Sequence, residues 1–279
     1  MRKTDLDSFQ KSILETGGYA TAAECRAPAR RRPSGWLTFL FSLLVTRVFP
    51  CCAIWDAFRR LTTRKWAEFC FSTVTVPEAC GMNVTIEGFG ARNDYKGPVV
   101  YLCNHMSTFE TVALVPIVLS WGDINFVAKE SLAHLPFLEH AAAIMGMIGV
   151  SRTNPKADLM KIYERGGEGL RSGRSFLVFP QGTRQEVFSK ARFSSIGAKL
   201  AEKAKAPIVP IVIDSRCMPT RKSGLLKSVF KDFGSVDTSR DVRIAAGPVI
   251  LPGRSREMHE AAFGWMAEKL ESWGLPVEK

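Results

Sequence analysis

His105 and Glu110 stand five residues apart in Asn104-His-Met-Ser-Thr-Phe-Glu110, and an imidazole supported by a carboxylate can take the proton of an alcohol as that alcohol attacks a carbonyl. Within one regular helix, five steps would turn the two side chains about 140° from each other. The histidine must therefore lie in the turn ahead of the helix. Ser107 suits the N-cap of that helix, which leaves His105 outside it and puts Glu110 at the third helical position, from where its side chain can fold back. The same Ser107-x-x-Glu110 spacing is also a capping box, in which the glutamate only satisfies the N-cap amide. On these residues alone both readings stand.

Three further stretches stand out, two of them ending in residues able to meet an anion. Leu177-Val-Phe-Pro-Gln181-Gly182-Thr183-Arg184 reads as an apolar strand followed by a turn that presents a threonine and an arginine, and a guanidinium forks onto phosphate. Gly146-Met-Ile-Gly-Val-Ser-Arg152 is a second apolar run closing on an arginine, and Ile208-Val-Pro-Ile211 is an apolar strand with an internal proline. Lys129, after Phe126-Val-Ala, is either a phosphate contact or a solvated cation.

Taken in their order along the chain, the four stretches resemble the lysophosphatidate acyltransferase family of glycerophospholipid acyltransferases, whose blocks are NH-x4-D, a glycine-to-arginine block, FPEGTR and a valine-proline strand. The resemblance runs from about Gly81 to Pro248 and includes Val84-Thr-Ile-Glu-Gly88. It implies a base at His105 oriented by Glu110, and an acceptor phosphate held by Arg152, Gly182, Thr183 and Arg184, with Gln181 inside the same block; Lys129 joins these substrate contacts only on its own reading as a phosphate contact. Glu110 replaces the family's usual aspartate and Gln181 its usual glutamate; the neutral side chain at 181 bears on which headgroup is accepted. The implied reaction moves a fatty acyl group from acyl-CoA or acyl carrier protein to the hydroxyl of a lysophospholipid, foremost lysophosphatidate. A lyso-ornithine lipid or glycerol 3-phosphate is the alternative acceptor, and a non-catalytic lipid-binding membrane protein the alternative of another class. Such a reaction requires no metal or other cofactor beyond the thioester co-substrate.

Positioning these residues calls for an α/β domain with a mixed sheet flanked by helices. Period and turn signals predict strands at 83–87, 99–103, 124–128, 175–179, 208–213 and 242–246, and helices near 108–119, 136–145, 156–172, 195–203 and 256–273. Three divisions follow: a polar, basic lead-in over 1–35, flexible or weakly helical and without chemistry; a membrane-associated helical segment over 36–78; and the α/β domain over 79–279. The run from Trp36 to Leu61 is strongly apolar but broken by Arg47 and Pro50, and spanning needs about 20 apolar residues. A hairpin lying in one leaflet fits it, with Trp36, Trp55 and Trp66 at interfacial depth and Arg59, Arg60, Arg64 and Lys65 toward anionic lipid. A buried hairpin of a soluble domain is the alternative.

The formal charge of +11 selects anionic partners. Nucleic acid would rest on charge alone, with no stacking or groove-reading motif, so the bilayer, a lysophospholipid and the acyl donor are the expected partners. Seven cysteines without a CxxC pair fit a reducing compartment, and residues 1–20 lack the apolar run of a secretory signal; the expectation is the cytoplasmic face of a membrane, the inner membrane if the source is bacterial. GxSxG, GxxxxGK[ST] and HExxH motifs are absent, and Gly166-Gly-Glu-Gly169 falls inside a helical stretch. Cys103 reads as a thiol nucleophile or as a small buried strand residue. The basic stretch 216–231 reads as a solvated loop or as a seat for the donor's phosphates or acidic carrier.

Overall fold

The computed structural model describes residues 4–31, 48–134, 138–218 and 236–279. Apolar runs build one sheet from β1 (Tyr19–Ala20), β2 (Val84–Glu87), β3 (Val100–Cys103), β4 (Ile124–Lys129), β5 (Met147–Val150), β6 (Ser175–Val178), β8 (Ile208–Asp214) and β9 (Val242–Ala246), in the order β1-β2-β9-β8-β3-β6-β4-β5. From β8 to β5 the strands are parallel, and the short β7 (Phe188–Ser189) pairs apart from this sheet with Val277–Glu278. β9 runs against β8, β2 runs with β9, and β1 runs against β2. The expected mixed sheet is thus observed.

β3, β6 and β8 are buried on both faces, which is why they read as continuous apolar runs rather than alternating ones. Tyr101, Cys103, Val209, Ile211 and Ile213 face one core together with the helices of the N-terminal third. Val100, Leu102, Ile208 and Val212 face the other, covered by helices Pro155–Arg171, Ile196–Ala204 and Ser255–Ser272. Pro210 lacks an N–H, yet sits where this costs little, one residue before the β8–β9 ladder begins at Ile211 opposite Ala246.

Residues 6–20 differ from the flexible or weakly helical lead-in expected. Leu6–Thr16 is a helix capped by Asp5, with Leu6, Phe9 and Ile13 buried along one side, and Tyr19–Ala20 adds the edge strand β1 to β2. The i, i+3, i+7 apolar spacing accounts for it; the surrounding charges obscured that stripe.

Of the membrane segment, residues 36–47 lie outside the described residues. The rest forms helices Val48–Ala57, Thr63–Cys70 and Ser72–Ala79, and no helix among the described residues is long and apolar enough to cross a membrane. Trp66 is buried in the core rather than set at an interface. Trp55 lies under the Lys65 ammonium, 4.5 Å from the ring centroid, while Ile54 and Phe58 are exposed. The helix expected over 108–119 is broken into Phe109–Ala113, Val115–Val118 and a 3-10 turn at Leu119–Trp121, because Pro116 offers no N–H to an unbroken ladder. β5 was not anticipated as a strand, its four residues including Gly149.

The end of β8 is fixed by charge. Asp214 is buried, which opposes ionisation, but hydrogen bonds from Arg216 and Arg243 outweigh burial and hold its carboxyl below the usual carboxylate range. A depressed folded-state value gives stability that is complete above the unfolded value, about 3.9, and is lost as pH falls from there through the folded value. Asp214→Asn is expected to cost roughly 2 kcal/mol at neutral pH, less than a fully buried pair because the guanidiniums keep part of their hydration. The cost should shrink in denaturant titrations repeated below pH 3; a pH-independent difference would assign Asp214 a packing role instead.

Candidate active site

Parallel strands release their chains on one side of a sheet, and loops meet there. His105 lies two residues beyond β3, Gln181–Arg184 just beyond β6, Lys129 at the end of β4, Arg152 two residues beyond β5 and Ser215 one beyond β8. Since β8, β3, β6, β4 and β5 are neighbours in that order, all the motif residues come to one edge.

Asn104 prolongs the β3–β8 pairing with its side chain, donating to the Ile213 carbonyl at 2.9 Å and accepting from the Ile213 amide at 2.8 Å. The next residue therefore leaves the sheet from a fixed point. Helical pairing begins at Phe109, later than Ser107 as N-cap implies, although the Ser107 hydroxyl accepts from the Phe109 amide at 3.1 Å. Glu110 is fully buried. Its carboxylate accepts from the Ser107 amide on both oxygens at 2.9 Å, from the Met106 amide at 3.3 Å, and from the Ser107 and Ser215 hydroxyls. His105 Nδ1 lies 3.2 Å from Glu110 Oε2. A carboxylate ringed by donors is an acceptor on every side, so Nδ1 carries the proton and Nε2 presents a lone pair. The capping bond and the contact with His105 are thus not alternatives in geometry: one carboxylate makes both.

The imidazole stacks on Phe179, centroids 4.4 Å apart, with 15% of its side chain exposed. The turn Phe179–Gly182 closes through Gly182 N–H to the Phe179 carbonyl at 2.9 Å and needs φ +67° at Gly182, a conformation natural to glycine. It is held against the His105 loop by Arg184 Nη1 donating to Thr108 Oγ1 at 2.9 Å and by the Gln185 amide donating to the His105 carbonyl at 2.8 Å. Arg152 reaches across to the Gly182 carbonyl, 3.0 Å from Nη2. It holds φ +63°, braced by Asp158, whose carboxylate accepts the Ser151 and Arg152 amides at 2.8 and 2.7 Å; those bonds, the Ser151 amide foremost, keep Asp158 below the usual range. Lys129 is exposed at the end of β4, between the strands that lead to Gly182 and Arg152.

Two predicted residues stand apart. Gln181 is buried and turned inward, its Nε2 donating to the Val187 carbonyl at 3.0 Å, a bond an ionised glutamate could not make. The exposed Thr183 accepts from Gln185 Nε2 at 2.9 Å. Cys103 is fully buried, and burial first, then the Glu110 charge, pushes its thiol well above the ordinary value; it is a strand residue. Of the basic stretch, positions 219–231 lie outside the described residues, and Arg216 is engaged with Asp214. Phe179 and Ser215 were not singled out in the sequence: Phe179 was read only as strand, and Ser215 meets Glu110 from 105 residues away. Among the described residues no cluster suits a metal ion.

A model of the family described as Acyltransferase matches residues 83–214. The chain is 32% identical over 152 residues to a 1-acyl-sn-glycerol-3-phosphate acyltransferase of Pseudomonas aeruginosa, covering 54% of this chain and 56% of that protein. It is 27% identical over 191 residues to a chloroplastic 1-acyl-sn-glycerol-3-phosphate acyltransferase of Arabidopsis thaliana, covering 68% and 51%. The chain spans about half the length of the curated relatives it matches. The crystal structure of a 1-acyl-sn-glycerophosphate acyltransferase from Thermotoga maritima has the same fold, with TM-score 0.62 and 16% identity over 88% of this chain and 97% of that one. Over residues 83–214 the chain is thus similar to the acyltransferase family.

Proposed function

We propose that this protein transfers a fatty acyl group from acyl-CoA or acyl carrier protein to the hydroxyl of a lysophospholipid, foremost lysophosphatidate, with His105 as general base and Glu110 as its orienting carboxylate. The observation that carries this reading is the 3.2 Å contact between His105 Nδ1 and the buried Glu110, at the sheet edge to which Arg152, Arg184 and Lys129 are also brought. Nε2 takes the hydroxyl proton as the oxygen attacks the thioester carbonyl. The tetrahedral intermediate collapses with loss of the thiolate, to which the imidazolium returns the proton, giving ester and free thiol. Through both steps Glu110 stabilises the imidazolium. The amides of Met106, Ser107, Phe109, Gly182 and Thr183 already donate within the protein, so the oxyanion is not assigned to them.

Arg152, Arg184 and Lys129 supply the positive charge that a phosphomonoester needs. The exposed Ile54 and Phe58 beside Arg59 and Arg60 support a bilayer contact at its anionic, cytoplasmic face, from which the acceptor is drawn. Mass spectrometry of products from lysophosphatidate, glycerol 3-phosphate and lyso-ornithine lipid, each offered with either thioester, tests the proposal. Phosphatidate should be formed fastest; an absence of acylated product from every acceptor would overturn it.

Arg152→Ala is expected to raise the acceptor KM roughly tenfold, the donor KM staying within twofold. Arg184→Ala should do the same and also lower kcat, since it removes the tie to Thr108. Steady-state kinetics with both substrates varied checks this, and equal effects on the two KM values would make both arginines structural.

A further inference from the structure

We infer that Ser215 is a positioning residue of the proton-transfer site: its hydroxyl pins one oxygen of the Glu110 carboxylate so that the other is turned to His105. The inference rests on the proposed role of His105 and Glu110.

A glutamate carboxylate turns readily about its last side-chain bond, and something must choose its plane. The Ser107 amide does not choose, since it lies 2.9 Å from both oxygens. The Met106 amide reaches Oε1 only at 3.3 Å. The Ser107 hydroxyl is divided, accepting from the Phe109 amide while standing 3.3 Å from Oε1 and 3.2 Å from Ser215 Oγ; its single proton cannot serve both oxygens. Ser215 Oγ is the close donor to Oε1. Oε2, left on the other side, faces Nδ1.

The base from which Ser215 acts is rigid. It is 1% exposed, it follows the central strand β8, and its carbonyl accepts from the Met218 amide at 2.8 Å. The preceding Asp214 is clamped by Arg216 and Arg243, which also donate to the Trp273 carbonyl at the end of the last helix. Capping needs none of this, because the local bonds, from the Ser107 amide to Glu110 and from the Phe109 amide to the Ser107 hydroxyl, are made without it. A hydroxyl brought from the end of β8 to an oxygen that already has its local partner acts on the carboxylate's orientation.

The test is a kinetic cycle. Ser215→Ala should lower kcat on the order of tenfold, the cost of one hydrogen bond to a charged group, with both KM values within twofold. In a Glu110→Gln background the same substitution should leave kcat unchanged, because Ser215 acts only through the carboxylate. Wild-type kcat in Ser215→Ala, or an equal loss in both backgrounds, would overturn the inference. Should the alanine variant not fold, Ser215→Thr and Ser215→Val, alike in volume, make the same comparison: threonine should retain most of the rate and valine should not, and equal rates would overturn it. His105→Ala separates the premise from the inference. Inactive His105→Ala with fully active Ser215→Ala removes only Ser215, whereas active His105→Ala removes the general base itself.

Discussion

Replacing His105 by alanine is expected to lower kcat by on the order of 10²–10⁴, the contribution of a general base, while leaving the chain folded. The ring is lightly exposed, stacks on Phe179 and meets Glu110 through Nδ1, so its loss forfeits one stacking contact and one hydrogen bond. The bond that joins this loop to the Gly182 turn comes from the backbone, Gln185 N–H to the His105 carbonyl, and survives the substitution. The acceptor KM should change little, since the proposed phosphate contacts are made by other side chains. Turnover near that of the wild type, measured as ester formation under saturating substrates, would sink the general-base mechanism.

Glu110→Gln is expected to reduce kcat by a similar factor, on the order of 10²–10⁴, and also to destabilise the fold. Read from sequence, a capping role and a catalytic role would separate here, because glutamine can still cap a helix. In the structure they do not separate in stability, since the carboxylate receives donors on both oxygens. An amide offers one oxygen, and its NH₂ must point at a donor, leaving a buried group unsatisfied at about 1–3 kcal/mol. Activity still discriminates: the amide cannot stabilise an imidazolium, whereas Glu110→Asp keeps the charge one methylene short and should retain part of the rate. Measuring kcat together with the denaturant midpoint of both variants settles it; a glutamine variant that turns over like wild type would leave Glu110 as a cap only.

What was legible beforehand follows the range of the interactions. Strands β2, β3, β4, β6, β8 and β9 and the three long helices of the C-terminal half are set by local apolar patterns and were placed within a residue or two. His105 and Glu110 were readable because the geometry of a strand-to-helix turn is local as well. Ser215 was not, since only the insertion of β8 beside β3 brings it to Glu110. The inward turn of Gln181 escaped for a different reason: its partner is a backbone carbonyl only six residues on, but across a loop whose path no pattern encodes. The helix at Leu6–Thr16 was open to view in its apolar spacing, and the charge around it drew the reading away.

The placement of β8 has a consequence for the order in which this protein comes into being. Its neighbours β3 and β9 begin about a hundred residues before it and about thirty after, so it is a late arrival at a central place. Until residues 208–215 have been synthesised and slid in, β3 has an unfilled edge, Asn104 has no backbone to grip, and the carboxylate beside His105 lacks its distant hydroxyl. Long-range closures of this kind are slow steps in folding. A growing chain therefore carries the His105 and Glu110 motif for a long stretch of its synthesis without its distant partners, and the site proposed for proton transfer is assembled only once β8 has joined β3.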